Sequence, residues 1–285
     1  YPTTNVNKFK YKLNSGQADQ AAGSAWNPII LSNGDKGHYY SISAKLEKQF
    51  DKGFSAFVAY TRSGAKVLYD GTGDQLINTW QNTQIATGIA NRPDLSTAGY
   101  VVPDRVIASI SYRKEYLKKL ATSVSLFYEG SIAGRFSYAY STDFNRDGQT
   151  NDLIYIPNDP SEITFTDHNY GTGANPNVVT AQEQSDIFFA YIEQDKYLSK
   201  HKGEYATRNG ATMPWRNQFD FRLTQDLFTD IGGKRNTLQF TLDIFNIGNL
   251  LNPEWGIFKQ VNAANILVPT NISSTGGTVT AGGAV

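Results

Sequence analysis

Six stretches of this chain alternate between apolar and polar side chains, and the connections between them come in two very different lengths. That asymmetry restricts the fold more than any single motif. In YYSISAKLEKQF, Tyr40, Ile42, Ala44, Leu46 and Phe50 share one face, with Ser41, Ser43, Lys45, Glu47 and Gln49 opposite and Lys48 as an interruption. DKG at 51–53 supplies a tight turn, and Phe54, Ala56, Val58 and Tyr60 then alternate against Ser55, Phe57, Ala59 and Thr61. The design repeats twice, through RKEYLKK and through TDIGGKRN. The strands expected are 40–50, 54–61, 105–113, 119–128, 215–228 and 236–247. Between the hairpins lie long connections, 62–103 and 130–213, of a kind that compact soluble domains rarely use.

Short turns at one end and long loops at the other, joined by strands of about ten residues, are what a membrane-spanning β-barrel requires. A bilayer offers backbone N–H and C=O groups no water, so irregular chain cannot sit at that depth and collects outside. Aromatic residues at or near the strand ends, Tyr39, Tyr40, Phe50, Phe54, Tyr60, Tyr112 and Tyr128, suit the interfacial belts of such a barrel. The competing fold is a soluble β-sandwich binding module, whose strands also alternate but whose corners are short. The fold class expected is all-β: a partial antiparallel transmembrane β-barrel with long extracellular loops. A short helix is expected within 180–198, where Thr180 and Glu183 have capping-box spacing and Ile187, Phe188, Tyr191, Ile192 and Leu198 keep helical register.

Charge excludes some functions. Lys plus Arg and Asp plus Glu both number 26, so there is no basic footprint for nucleic acid and no global attraction to anionic lipid. Cysteine is absent, which removes disulfides, thiol chemistry and thiolate metal sites. The three histidines, His38, His168 and His201, are widely separated, and no GxSxG, HExxH, Walker or dinucleotide motif occurs, so no enzyme activity is expected and no cofactor is required. A protease or lipase barrel whose site assembles only in space is the remaining enzymatic reading.

One stretch has metal-loop character. In DFNRDGQTNDLIYIP, Asp143, Asn145 and Asp147 supply oxygens at positions one, three and five, Gly148 allows the bend, and Gln149 offers a carbonyl at seven. The bidentate Glu of an EF-hand is missing, since position twelve is Ile154, with Asp152 as the substitute. The loop is a candidate calcium site. The alternative is a turn in which Asp and Asn cap backbone groups without an ion. A second polar set, Lys45, Glu47, Arg105, Asp220, Arg222, Asp226 and Asp243, falls on the face opposite the apolar one, as the wall of an aqueous lumen would.

The blocks GHYYSISAKLEKQFDKGFSAFVAYT, FNRDGQTNDLIYIPND, DKYLSKHKGEYATRNGATMPWRNQFDFRLTQDL and LQFTLDIFNIGNLLNPEWG together resemble the C-terminal barrel region of TonB-dependent outer-membrane transporters from Bacteroidota, the Oar-like group in particular. The likeness covers about residues 1–258. It implies a 22-stranded barrel around an N-terminal plug, of which this chain would contribute about six strands. Plug and final strand are expected to lie outside the chain, and residues 259–285 to be loop. The implied function is energy-coupled import of a solute across the outer membrane. The implied partners are the rest of the barrel and its plug, the TonB complex, outer-membrane lipid, an extracellular solute and a surface lipoprotein. In such a loop an ion would rigidify a lid. An adhesin or anchor that moves nothing is the functional alternative.

Overall fold

The computed structural model describes residues 32–71, 73–86, 91–145, 149–270 and 280–282, and in it the six alternating segments form one antiparallel sheet. Its long strands are β1 (His38–Gln49), β2 (Phe54–Val67), β3 (Asp104–Tyr116), β4 (Leu120–Ile132), β5 (Trp215–Ile231) and β6 (Lys234–Ile244), each paired with its neighbours in chain order. The meander does not close into a barrel: β1 and β6 stand at its two ends.

Register decides what each face carries. Leu46, Val58, Ala108, Tyr128 and Phe219 form one row across five strands, and Ile110, Leu126, Phe221 and Ile244 form another, as do Tyr112, Val124, Leu223 and Leu242. Because side chains alternate with period two, this alignment puts the apolar set of every strand on the same face. The reverse face gathers Ser55 with Ser111, Ser43 with Thr61 and Arg222 with Asp243. A one-residue slip of any strand would mix the two sets.

Turns at one end hold this register. The β3–β4 turn puts Leu117 at φ 52° and Lys118 at φ 56°, and the β5–β6 turn puts Gly232 at φ 62° and Gly233 at φ 73°. Two successive residues at positive φ match the right-handed twist of the strands they join. Glycine adopts that backbone freely; Leu117 and Lys118 do so at a cost of about 1–2 kcal/mol each.

The strands run further than their sequence pattern suggests. β2 continues to Val67 and β4 to Ile132, so the long connections begin later than expected, at 68 and 133. Cross-strand pairing with β1 at Lys66 and with β5 at Ile132 extends them past the point where alternation fades. β6 instead stops at Ile244, short of the expected 247, because Asn246 takes φ 55° and turns the chain into a 3₁₀ segment, Ile247–Leu250.

The long connections pack on one another at the opposite end, forming a cap with its own apolar core. Tyr138, Tyr140, Phe144, Leu153, Ile154, Ile156, Phe188, Ile192 and Leu198 are buried there, joined by Ile266 and Leu267 from the chain after β6. Two helices belong to the cap, α1 (Leu76–Gln81) and α2 (Ala181–Gln194). Residues beyond 258 add short strands: Val268–Thr270 pairs with Thr280–Gly282, which pairs in turn with Thr164–Phe165. They join the cap, and none of them extends the main sheet.

Candidate functional site

The sequence singles out the loop 143–152, and the structure anchors both of its ends in the cap core. Phe144 and Asn145 are fully buried, and the Phe144 ring stacks on Tyr140 with centroids 4.2 Å apart and planes within 8°. Asp152 is likewise withdrawn from solvent. Its Oδ2 accepts from the backbone N–H of Phe144 at 2.6 Å and of Asn145 at 3.1 Å, so the carboxylate at the end of the loop ties down its start. Such charge-assisted bonds to backbone N–H are about twice as strong as neutral ones. Asp143 and Gln149 are partly exposed, while Asp147 and Gly148 lie outside the described residues. Among the proposed ligands, then, Asp152 and Asn145 converge through a backbone contact, and Asp152 works in the manner of an Asx cap.

Neighbouring contacts fasten this loop to the first long connection. Asn151 Nδ2 donates to the carbonyls of Gln81, at 3.1 Å, and Thr83, at 2.8 Å, just past α1. Ile85 N donates to Asn151 O and its carbonyl accepts from Leu153 N. The apolar tail LIYIP then runs inward, where Tyr155–Ile156 pairs with Glu204–Tyr205.

A second junction, which sequence reading missed, joins the two long connections through Arg208 and Asn209. The buried Arg208 guanidinium donates from Nη2 to Val67 O at 2.7 Å and sits 3.4 Å from Asp70 through Nε. Asn209 Nδ2 reaches Asp70 Oδ2 at 2.7 Å and Thr97 O at 2.9 Å, and Ser96 Oγ donates to Arg208 O at 2.9 Å. Burial pulls the Arg208 pKa below its ordinary value, and Asp70 pulls it back up. Asn209 turns the chain at φ 54°, and nothing local in the sequence names Asp70 as its partner.

The expected helix forms as α2, and its cap is the one anticipated. Thr180 Oγ1 accepts from Glu183 N at 3.2 Å and Glu183 Oε2 accepts from Thr180 N at 2.8 Å. Those bonds hold the Glu183 carboxyl below its usual pKa. At the other end, Asp195 receives the Tyr138 hydroxyl at 2.9 Å, with Tyr191 alongside at 3.1 Å. Burial, first, and these two neighbours push the Tyr138 hydroxyl far above the ordinary tyrosine range. These groups act as fasteners and carry no nucleophile beside a base.

The charged set on the polar face is paired. Arg222 with Asp243, Arg105 with Glu129, Lys45 with Glu47 and Arg113 with Asp226 make ion pairs, and Asp220 accepts from Asn246 N at 2.8 Å. Their spacing follows the ladder, so they form a polar wall with no convergence on one point. Among the described residues no group of three or more His, Cys, Asp or Glu is placed to hold a metal ion.

On the apolar face, ring residues mark the end of the strands nearest the cap. Tyr40 lies over Gly64, where a Cβ would come within 2.5 Å of the ring, and Tyr128 with Trp215 covers Gly130, where a Cβ would meet Tyr128 Oη at 2.2 Å. Tyr128 Oη and Trp215 Nε1 both donate to Asn217 Oδ1, at 2.8 and 3.1 Å. Beside them Arg62 pairs with Asp104 at 2.8 Å. No family model, curated protein or solved structure matches the chain.

Proposed function

We propose that this chain is part of the wall and outer cap of an outer-membrane β-barrel that imports a solute by energy-coupled transport. The observation that carries the membrane half of this reading is the apolar face: six strands in register present it continuously, and Ile42, Leu46, Ile110, Leu238, Phe240 and Leu242 are all substantially exposed on it. A surface that large and that apolar is incompatible with water and fits hydrocarbon. Its height also fits. On β3 the face is bracketed by Asp104 and Lys114, a stretch of about 33 Å along the strand, which at a tilt near 40° rises about 25 Å, the apolar band of outer-membrane barrels.

The belt of Tyr40, Tyr128 and Trp215 supports an interface at the cap end, because each ring offers an apolar body and a polar tip. No helix of the described residues is long and apolar enough to cross a membrane, so any crossing falls to the strands. The open ends at β1 and β6 supply edges on which the rest of a barrel would pair, with the plug inside against the polar face.

Transport rests on the family resemblance together with this architecture. Coupling to an inner-membrane partner would lie in a plug outside this chain, and the cap would supply the surface first met by the solute. The test compares uptake of candidate solutes by cells carrying the intact receptor, a receptor lacking its N-terminal coupling segment, and no receptor. Uptake lost with the coupling segment is the expected result. Surface binding with no coupling-dependent uptake of any candidate overturns transport in favour of an adhesin. For the membrane half, recovery of the chain as a monodisperse monomer in aqueous buffer without detergent overturns it.

A calcium ion in the 143–152 loop is part of the same proposal. It would draw Asp143, Asn145 and Asp147 around one centre and offset their repulsion. Asp152 is already engaged by two backbone N–H groups. Six to eight oxygens at about 2.3–2.6 Å around an ion in a calcium-soaked crystal would establish the site.

A further inference from the structure

A cavity of about 830 Å³ lies in the cap, between α2 and the strand-free segment 261–266. That is within the range of ligand sites, about 300–1,000 Å³. It is separate from the 143–152 loop and from the polar wall of the sheet.

Its chemistry has two parts. Ile187, Phe188, Tyr191, Val261 and Ile266 make the walls predominantly apolar. Four carboxamides, Asn177, Gln184, Gln194 and Asn262, join the Tyr170 and Tyr191 hydroxyls as polar groups, and among the described residues no Asp, Glu, Lys, Arg or His lines the space. Gln184, 4 % exposed, is held in place by donating to the carbonyls of Thr166 and Val179. The capping box at Thr180 fixes the start of the same helix, and the Tyr191 hydroxyl is within 3.1 Å of that of Tyr138, so the wall is ordered by the cap core.

We propose that this groove binds an uncharged, apolar peptide segment. The proposal rests on the cap being the outward surface of the receptor and names the class of ligand it takes. Gln184 spends its amide N–H groups on the cap, and Asn177, Gln194 and Asn262 bring carboxamides whose acceptors and donors a peptide backbone complements, while the aliphatic and aromatic walls accept apolar side chains. A charged ligand would give up its hydration with no opposite charge among the described lining residues to offset it. The groove therefore selects against charge on desolvation.

Ile187 projects from α2 with 43 % of its surface open, while Phe188 and Ile192 of the same helix are buried. A solvent-facing isoleucine in that position is accounted for by what it lines. Ala190, one turn on, leaves the space open and lines the same groove.

The test uses the full receptor in detergent and calorimetric titration with three probes: acetyl-Leu-Phe-Ala-Phe-Leu-amide, the same peptide with Ala replaced by Asp, and maltohexaose. Saturable binding of the neutral peptide is expected, weakened about ten-fold or more by Ala190→Arg or by the Asp probe, and unchanged by Gln182→Arg, which lies outside the groove. Helical circular dichroism and protease resistance of the cap confirm that the variants fold. Absence of saturation by the neutral peptide at about 1 mM, equal binding by Ala190→Arg, or binding of maltohexaose alone each overturns the proposal. Because binding is read without uptake, a receptor that binds the peptide but shows no coupled import would overturn transport and leave the groove assignment standing. Coupled import of a solute without peptide binding would do the reverse.

Discussion

Leu242 on β6 keeps 52 % of its surface open, whereas Ile154 in the cap keeps none, although each belongs to a short apolar stretch of similar composition. The two residues stand for the two halves of the molecule. The sheet holds its strands by ladder bonds and aligns its apolar side chains on one face, where none of the other described residues covers them. The cap folds its connections inward around Phe144, Ile154 and Ile192, as an ordinary soluble core does. One region awaits its solvent from outside, and the other has made its own. A hydrophobic residue therefore reports burial in protein only after register and packing are known.

The largest effect should come from the cap core. Phe144→Ala removes a ring that is fully buried and stacked on Tyr140, and should cost about 3–5 kcal/mol, read as loss of protease resistance in the cap with the sheet still assembled. Simultaneous loss of the sheet would show that the two regions do not fold as separable units.

Next is the sheet itself. On the proposed barrel reading, Leu242→Arg should cost about 2–4 kcal/mol and impair assembly, measured by a heat-dependent gel shift, while Thr241→Arg on the neighbouring position should be tolerated. Equal effects at the two positions would break the assignment of faces.

Asp152→Ala should cost about 1–3 kcal/mol by leaving the Phe144 and Asn145 N–H groups without their acceptor, seen as faster amide exchange at 144–145. Calcium sharpens this: if an ion also holds the loop, millimolar calcium should slow proteolysis of 143–152, and Asp147→Asn should abolish the slowing.

The smallest effect concerns α2. Thr180→Ala should cost about 1 kcal/mol and fray the first turn. Glu183 has its folded pKa depressed by bonds from Thr180, so its contribution is present above the unfolded glutamate pKa and is lost as pH falls through the lower folded value. Amide exchange at 183–184 should accelerate on acidification across that window in the native protein and stay level in Glu183→Gln.

Local pattern carried the sheet because the information it needs is local. Alternation in YYSISAKLEKQF and TLQFTLDIF, with turns such as DKG and IGGK, is enough to define hairpins and to separate the faces. The capping box at Thr180 and Glu183 was legible for the same reason, since both partners sit within one turn. Strand ends were less so: Val67 and Ile132 stay in the ladder through partners on other strands. The cap lay almost wholly beyond reach. Asp152 reads in sequence as a possible metal ligand, yet its carboxylate accepts from the backbone that precedes it. Arg208 meets Asp70 and Val67 across the whole of β3, β4 and the long connections, and the groove joins α2 to the segment after β6.

By itself, then, the sequence determined the hairpins, their polar and apolar faces, the capped helix and the lack of a basic or thiol chemistry, all of which depend on residues a few positions apart. Tertiary structure alone decided that the apolar face remains uncovered by the other described residues, that the long connections build a core, and that Asp152, Arg208 and the carboxamides of the groove have the neighbours they do. The physical reason is distance along the chain: a ladder repeats every two residues and announces itself, whereas a buried charge or a cavity is defined by partners that only folding brings together.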